Sequence, residues 1–458
     1  MVGPRVIIVG AGPAGVRCAE ALVAAGIRPT VIDENRRDGG QIYRRQPDNF
    51  TRSYATLYGT EASRAAANHR CFDELRGRID YLPETLVWNI SEGHVYALRD
   101  SRLVELPFDA LILCTGATDR LMPVKGWNLA GTYSLGGAQV ALKAQACAIG
   151  RQVIFMGSGP LLYLVAAQYL KAGAGVAAVL DTSPWRLRLA ALPKLLAMPR
   201  ALFNGIKLTL ALRRAGVPML SGIEPLEITG SAQDGVNGLS FRDARGEVRR
   251  LACDAVAIGY HLRPETQLAD LARCEFQFNP TSRQWLPRID AQGRSSVAGV
   301  YLAGDGARLL GADAAEAAGK IAALAVLEDF GYPFKAETVA ELRRKLATLT
   351  RFAQGLMQSF PWPAGQAARL SDDTVVCRCE AVTAGELRRV VAQTGAREAN
   401  RAKAFSRVGM GRCQGRYCGH AAAEIIAHAA EVPIEQVGRL RGQAPVKPLP
   451  IGIAEDGA

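Results

Sequence analysis

The sequence predicts an α/β protein with two Rossmann-like strand–turn–helix units and a smaller helical unit at its C-terminal end. Three observations predict it. A short apolar run, Val6–Val9, leads into Gly10-Ala11-Gly12-Pro13-Ala14-Gly15 and then into helix-forming residues from Val16 to Leu22. The pattern returns at Val153–Leu162, around Gly157-Ser158-Gly159-Pro160. Beyond Pro361-Trp362-Pro363, four cysteines form two close pairs, Cys377 with Cys379 and Cys413 with Cys418.

The opening turn has the spacing G-x-G-x-x-G in the strand-to-helix context where that spacing carries meaning. Gly10 allows the tight turn, Gly12 lets a pyrophosphate approach the backbone, and Gly15 lets the helix lie against the strand. Pro13 and Ala14 complete the loop, and the helix N-terminus offers free N–H groups to phosphate. The next strand, Pro29–Ile32, ends in Asp33-Glu34. Asp33 is the expected ribose acceptor, with Glu34 as the neighbour able to replace it. At Gly39-Gly40-Gln41 paired glycines break the chain where it would pass the cofactor again.

Residues 50–76 read as helical and connective. Short strands around Tyr81-Leu82, Val87–Ile90 and His94–Leu98 read as a small β-meander. Phe108–Leu113 reads as a buried strand ending in the small-residue turn Cys114-Thr115-Gly116. In the second unit, Leu162 replaces the third glycine, which should push the helix away from the strand. The strand Gly175–Leu180 ends in Asp181. The repeat is a fold signal, and a working NAD(P) site there is doubtful. Residues 184–220 read as a solvated helix pair or subunit contact in preference to a membrane-touching segment, because Pro193 and Pro199 cut the helical face. Strands follow near Leu226–Ile228 and Val236–Phe241, and Cys253–Tyr260 echoes the strand that ends at Gly116. Ser295–Asp305 delivers Gly304-Asp305 to a turn before a helix, placing Asp305 to accept from a ribityl hydroxyl and the helix dipole to face a flavin.

The expected boundaries are 1–148 with 250–330 for a discontinuous FAD-binding domain, 149–249 for the second dinucleotide-type domain, 331–372 for a helical linker and 373–458 for the cysteine-bearing domain. Four thiolates in two pairs suit a metal, and Cys-x-Cys with Cys-x₄-Cys departs from zinc-finger spacing. Glycines 409, 411, 415 and 419 let backbone N–H groups crowd around sulfur. A [2Fe–2S] cluster on Cys377, Cys379, Cys413 and Cys418 is therefore preferred to zinc. Arg378, Arg412 and Arg416 are placed to offset its charge.

The chain has 458 residues, a net charge of +12 and ten cysteines. Basic residues are scattered, with no aromatic-interleaved strip, which argues against nucleic acid. Met1 runs within a few residues into the first strand, so a cytoplasmic protein with reduced thiols is expected, with contact to the inner membrane face left open. No apolar stretch has the length of a membrane span.

These residues carry a resemblance. Gly10–Gly15 with Asp33, the Cys114–Gly116 turn and Gly304-Asp305 resemble the two-dinucleotide-domain fold of the glutathione and thioredoxin reductase superfamily. Cys377 to Cys418 resembles the bacterioferritin-associated-ferredoxin-like [2Fe–2S] domain. The combination resembles the FAD-containing A subunits of opine oxidases and D-hydroxyproline dehydrogenases, with the B subunit of hydrogen cyanide synthase. The resemblance implies a partner β flavoprotein subunit of the D-amino-acid-oxidase type that oxidises an amine. It also implies a small ferredoxin-like subunit in some complexes, and it leaves open an FMN at the subunit boundary. One departure matters: no cysteine lies near Gly39–Arg44 and Cys147 stands alone, so dithiol chemistry beside the flavin is excluded.

Overall fold

A computed structural model describes residues 3–450 and Gly452; Met1 lies outside the described residues. The first sheet is wholly parallel, in the order Val300–Leu302, Ala110–Leu113, Val6–Val9, Thr30–Ile32 and Asp80–Leu82. Val6–Val9 and Ala110–Leu113 are buried along their whole length, the condition under which a strand loses polar alternation. Helices Pro13–Ala24 and Ala312–Asp329 cover one face and cross closely. Gly319 permits this, since a Cβ there would sit 2.0 Å from the Ala14 carbonyl oxygen. Burying side chains such as Ile8, Leu22, Ile112 and Val326 there contributes roughly 1.5–3 kcal/mol each.

The second sheet is also parallel, in the order Met219–Ser221, Val176–Asp181, Val153–Ser158, Ala255–Tyr260 and Thr132–Ser134. Ala255–Tyr260 thus lies in the second unit, whereas the expected boundary at 250 assigns it to the first. Its partner decides this: Val153–Ser158 pairs with it residue for residue. Leu162 is fully buried with Val153, Phe155 and Val179, filling the space a third glycine would leave.

The meander differs in its members. Asp80–Leu82 joins the first parallel sheet, and the meander is built from Leu86–Ser91, His94–Arg99 and Arg102–Pro107. Only the parallel register with Thr30–Ile32 distinguishes the two roles for Tyr81-Leu82. The helices Arg186–Leu195 and Pro199–Arg214 are not cut as expected: Pro193 lies inside the first, and Pro199 starts the second, where its missing N–H costs nothing.

In the C-terminal unit, Thr383 and Glu386 form the expected capping box, opening the helix Ala384–Thr394. The unit does not hang on a tether. Trp127, Ile258, Trp362, Cys377 and Ile425 share one core, and the Trp127 indole donates to the Val375 carbonyl at 2.5 Å. Among the described residues, no helix is long and apolar enough to cross a membrane.

Candidate cofactor cradle and thiol cluster

The first turn closes by backbone contact. A Cβ on Gly15 would lie 1.8 Å from the Gly10 carbonyl oxygen, so any other residue would lever the helix off the strand. Gly12 and Gly40 lie face to face, with a Cβ on Gly40 falling 3.0 Å from the Gly12 Cα. The second pass of the chain at Gly39-Gly40 therefore meets the first turn, as its sequence indicates. The Asp33 carboxylate accepts from Ala11 N at 2.7 Å and from Asn35 N at 2.7 Å, which ties it to the turn as well as to the cavity. Burial raises its pKa against these hydrogen bonds. Glu34 pairs with Lys447 near the chain's end.

A cavity of about 2080 Å³ joins the expected residues. It is lined by Gly10, Gly12, Pro13, Ala14, Asp33, Glu34, Gly40, Gln41, Thr115, Gly116 and Asp305. Cys377, Cys379, Cys413 and Cys418 line the same cavity. Gly15 and Gly304 do not reach it; they serve packing, Gly304 against Ala14 and Ala315. Asp305 Oδ1 accepts from Leu310 N and Gly311 N, each at 3.0 Å, and so fixes the loop that starts the helix Ala312–Asp329. Its other oxygen has no partner among the described residues.

The four cysteine sulfurs interact in a chain: Cys377 with Cys418, Cys418 with Cys413, and Cys413 with Cys379. The neighbouring Cys418 thiol pulls the Cys377 thiol down to about 6 and Cys413 to about 5. Backbone N–H groups of Gly409, Glu380 and Cys379 favour the Cys377 thiolate, and those of Tyr417 and Gly415 the Cys413 thiolate. Gly411 makes room, since a Cβ there would sit 2.3 Å from Cys379 Cβ. Two close pairs of thiols with N–H donors nearby are compatible with a two-iron cluster.

Glu265 was not legible in the sequence as a site residue. Its backbone N–H donates to the Gly116 carbonyl at 2.9 Å and its carbonyl accepts from Thr115 Oγ1 at 2.6 Å. Its carboxylate accepts from Arg416 Nε at 2.8 Å, with both side chains buried. Although burial opposes ionisation, the Arg263 and Arg416 charges hold the carboxyl below the usual glutamate range. Arg416 also donates to Val446 O at 2.7 Å and Cys413 O at 3.3 Å. One buried ion pair therefore links the first cradle to the loop between Cys413 and Cys418. Arg416 is no solvated surface cation, while Arg378 lies over the Trp127 ring at 5.2 Å.

The second turn is closed by the protein's own side chains. Asp181 is fully buried and accepts from Tyr163 Oη at 2.7 Å, Arg188 at 2.6 Å and Ser183 N at 2.7 Å. The Arg188 guanidinium lies over the Tyr163 and Phe360 rings. Gly157, Ser158 and Gly159 do not line the cavity. His261 packs against Gly159, and its Nε2 lies 2.8 Å from the Phe360 carbonyl. Burial pushes His261 down to about 4, opposed by that hydrogen bond and reinforced by Arg120. The unfolded chain takes up this proton near pH 6.5, while the folded chain resists until about pH 4. Stability should therefore fall by about 3 kcal/mol between those values as pH drops. Urea unfolding at several pH values checks this: His261→Gln should show a shallower decline than the wild type.

Cys114, beside the first turn, is buried, and burial pushes its thiol up to about 12, far from a reactive thiolate.

Comparison with known proteins agrees with this geometry. Residues 4–322 match the model of the pyridine nucleotide-disulphide oxidoreductases, and residues 375–428 that of the BFD-like [2Fe-2S] binding domain. The chain is 37% identical to the opine oxidase A subunit of Rhizobium meliloti, over 97% of this chain and 86% of that one. It is 30% identical to the HcnB subunit of hydrogen cyanide synthase from Pseudomonas protegens, over 97% and 96%. In fold it is similar to L-proline dehydrogenase from P. horikoshii, with a TM-score of 0.70 at 18% identity, over 99% of this chain and 79% of that one. These matches imply that the chain binds FAD and a [2Fe–2S] cluster, and the close glycine approach at the first turn and the two pairs of thiols are compatible with both. The chain belongs to the pyridine nucleotide-disulphide oxidoreductase family, in the group formed by opine oxidase A subunits and hydrogen cyanide synthase B subunits.

Proposed function

We propose that this chain is the electron-transferring subunit of a hetero-oligomeric amino-acid or opine dehydrogenase, D-hydroxyproline dehydrogenase being one example, acting on CH–NH donors. The observation that carries this reading is the single cavity that touches both the first cradle and the four cysteines. Bound there, FAD supplies two-electron chemistry and a [2Fe–2S] cluster supplies one-electron acceptance. The chain's residues hold and orient these groups. Gly10, Gly12 and the first helix receive the pyrophosphate, Asp33 or Glu34 the ribose, Gln41 and Thr115-Gly116 the flavin, and Asp305 the ribityl chain. Glu265 and Arg416 fix the spacing between the two centres. The amine is oxidised on a partner flavoprotein of the D-amino-acid-oxidase type. An FMN at the subunit boundary and a small ferredoxin-like third subunit are compatible additions. The test is dye reduction by candidate amines, with the chain alone and with its co-expressed genomic neighbours. Activity should require the partner; amine oxidation by the isolated chain would contradict the division of labour.

The repeated turn at Gly157–Gly159 favours a second reading, a stand-alone NAD(P)H-dependent ferredoxin-type reductase. Asp181 weighs against it, because its carboxylate is already taken by Tyr163, Arg188 and Ser183. Anaerobic NADH or NADPH should leave the flavin absorbance unchanged over seconds; bleaching by either would restore this reading.

A further inference from the structure

Three arginines are buried among the described residues: Arg120, Arg263 and Arg416. Arg263 lies on the strand Leu262–Pro264, which pairs with Ala117–Asp119 directly after the Thr115-Gly116 turn. Its Nη1 donates to the Arg416 carbonyl at 3.1 Å, and Arg416 Nη1 donates in turn to the Cys413 carbonyl at 3.3 Å. Arg120 donates to the Ser282 and Arg283 carbonyls at 2.8 Å and 3.0 Å, and its guanidinium lies over the Trp362 ring at 3.8 Å.

The carboxylates nearby are taken by other partners. Glu265 accepts from Arg416 on both oxygens, at 2.8 Å and 3.4 Å. Glu424 accepts from Arg283 at 3.0 Å and 2.8 Å and from the Trp362 indole at 3.1 Å. Among the described residues, Arg120 and Arg263 donate only to carbonyl oxygens, and the Nε of each has no partner. Burial pushes Arg120 down to about 9, opposed by Glu424. Burial lowers Arg263 too, opposed by the charges of Glu265 and Cys413. A guanidinium nevertheless keeps its proton at neutral pH. Positive charge in excess of the carboxylates is therefore held out of water, which is costly unless another negative group lies near.

On the reading that the four cysteines carry a [2Fe–2S] cluster, on which this rests, we propose that Arg263, backed by Arg120, raises the cluster's reduction potential and so favours electron flow from the flavin. One electron from the reduced FAD turns one ferric iron ferrous and adds one negative charge to the cluster. Uncompensated positive charge nearby favours that product over the oxidised form, and net charge is one of the levers on such potentials. Out of water the guanidinium acts with little screening. Arg378 differs. It stands between two of the thiols in sequence, but it is exposed and lies over the Trp127 ring, so water and salt weaken its field. Glu265 acts with the opposite sign, as the buried negative charge closest to this network.

The test is an anaerobic redox titration of the purified full chain with dithionite and mediator dyes, followed by the paramagnetic signal of the reduced cluster. Iron and sulfide are measured on each sample. Arg263→Gln should make the cluster roughly tenfold harder to reduce, a fall of about 59 mV for one electron. Arg263→Lys keeps the charge and should stay close to the wild type. Arg378→Gln should lower the potential less than Arg263→Gln. Glu265→Gln removes a negative charge and should raise it. A fully loaded Arg263→Gln cluster at the wild-type potential would overturn the proposal, and so would Arg263→Lys falling as far as Arg263→Gln. Should Arg263→Gln fail to fold or to load, Glu265→Gln decides: a potential at or below that of the wild type would overturn the proposal. Iron-free wild-type protein would sink the cluster reading and this proposal together, whereas a loaded cluster indifferent to Arg263 would sink this proposal alone.

Discussion

Replacing Cys413 by serine should strip the protein of iron and acid-labile sulfide while leaving its FAD in place. Cys413 neighbours both Cys379 and Cys418, and the Tyr417 and Gly415 backbone N–H groups favour its thiolate. Serine offers a harder, less acidic donor there and loses the thiolate the cluster requires. The flavin cradle lies on other elements, around Gly10–Gly15, and the network that links it to Cys413 ends on the Cys413 backbone carbonyl, which serine keeps. Visible spectra and metal analysis on one preparation check the split. Electron delivery to one-electron acceptors should be lost, while flavin content stays at the wild-type level. Cys147→Ser, at an exposed thiol away from the cavity, should change neither.

Removing the Glu265 carboxylate should have the largest effect on stability. Glu265→Ala leaves Arg416 buried without its counter-charge and Arg263 short of one too. Breaking a buried pair from one side costs about 3–5 kcal/mol. The cost should appear as loosening of the C-terminal unit, because Arg416 is the link from Glu265 to Cys413 O and Val446 O. Urea unfolding reads the loss, and proteolysis within the connection 360–374 should accelerate. Glu265→Gln should recover part of the stability through its hydrogen bond but not the charge pairing. The carboxylate's folded pKa lies below its unfolded one. Its contribution is therefore full above the ordinary glutamate range and lost as pH falls through the folded value.

What the sequence revealed follows from where the information sits. The Gly10–Gly15 turn and the capping box at Thr383 and Glu386 are local patterns, and each forms as its spacing indicates. Asp33 was legible as a strand-end carboxylate, but its bond to Ala11 depends on the register of two parallel strands. Glu265 lies 151 positions from Arg416 and carries no local signature; only the fold brings them together. The same holds for Lys447 against Glu34 and for the strand Ala255–Tyr260, whose sheet is decided by its neighbour. Pro193 was read as a break because interior proline removes a hydrogen bond. The helix tolerates it at an exposed position one turn from its end.

The most direct measurement of the central claim is cofactor analysis of the purified full-length protein: acid-extracted flavin, iron, labile sulfide and zinc, all per chain. One FAD with a two-iron, two-sulfide cluster is the expected composition. Zinc at the four thiols, with neither iron nor sulfide, would contradict it.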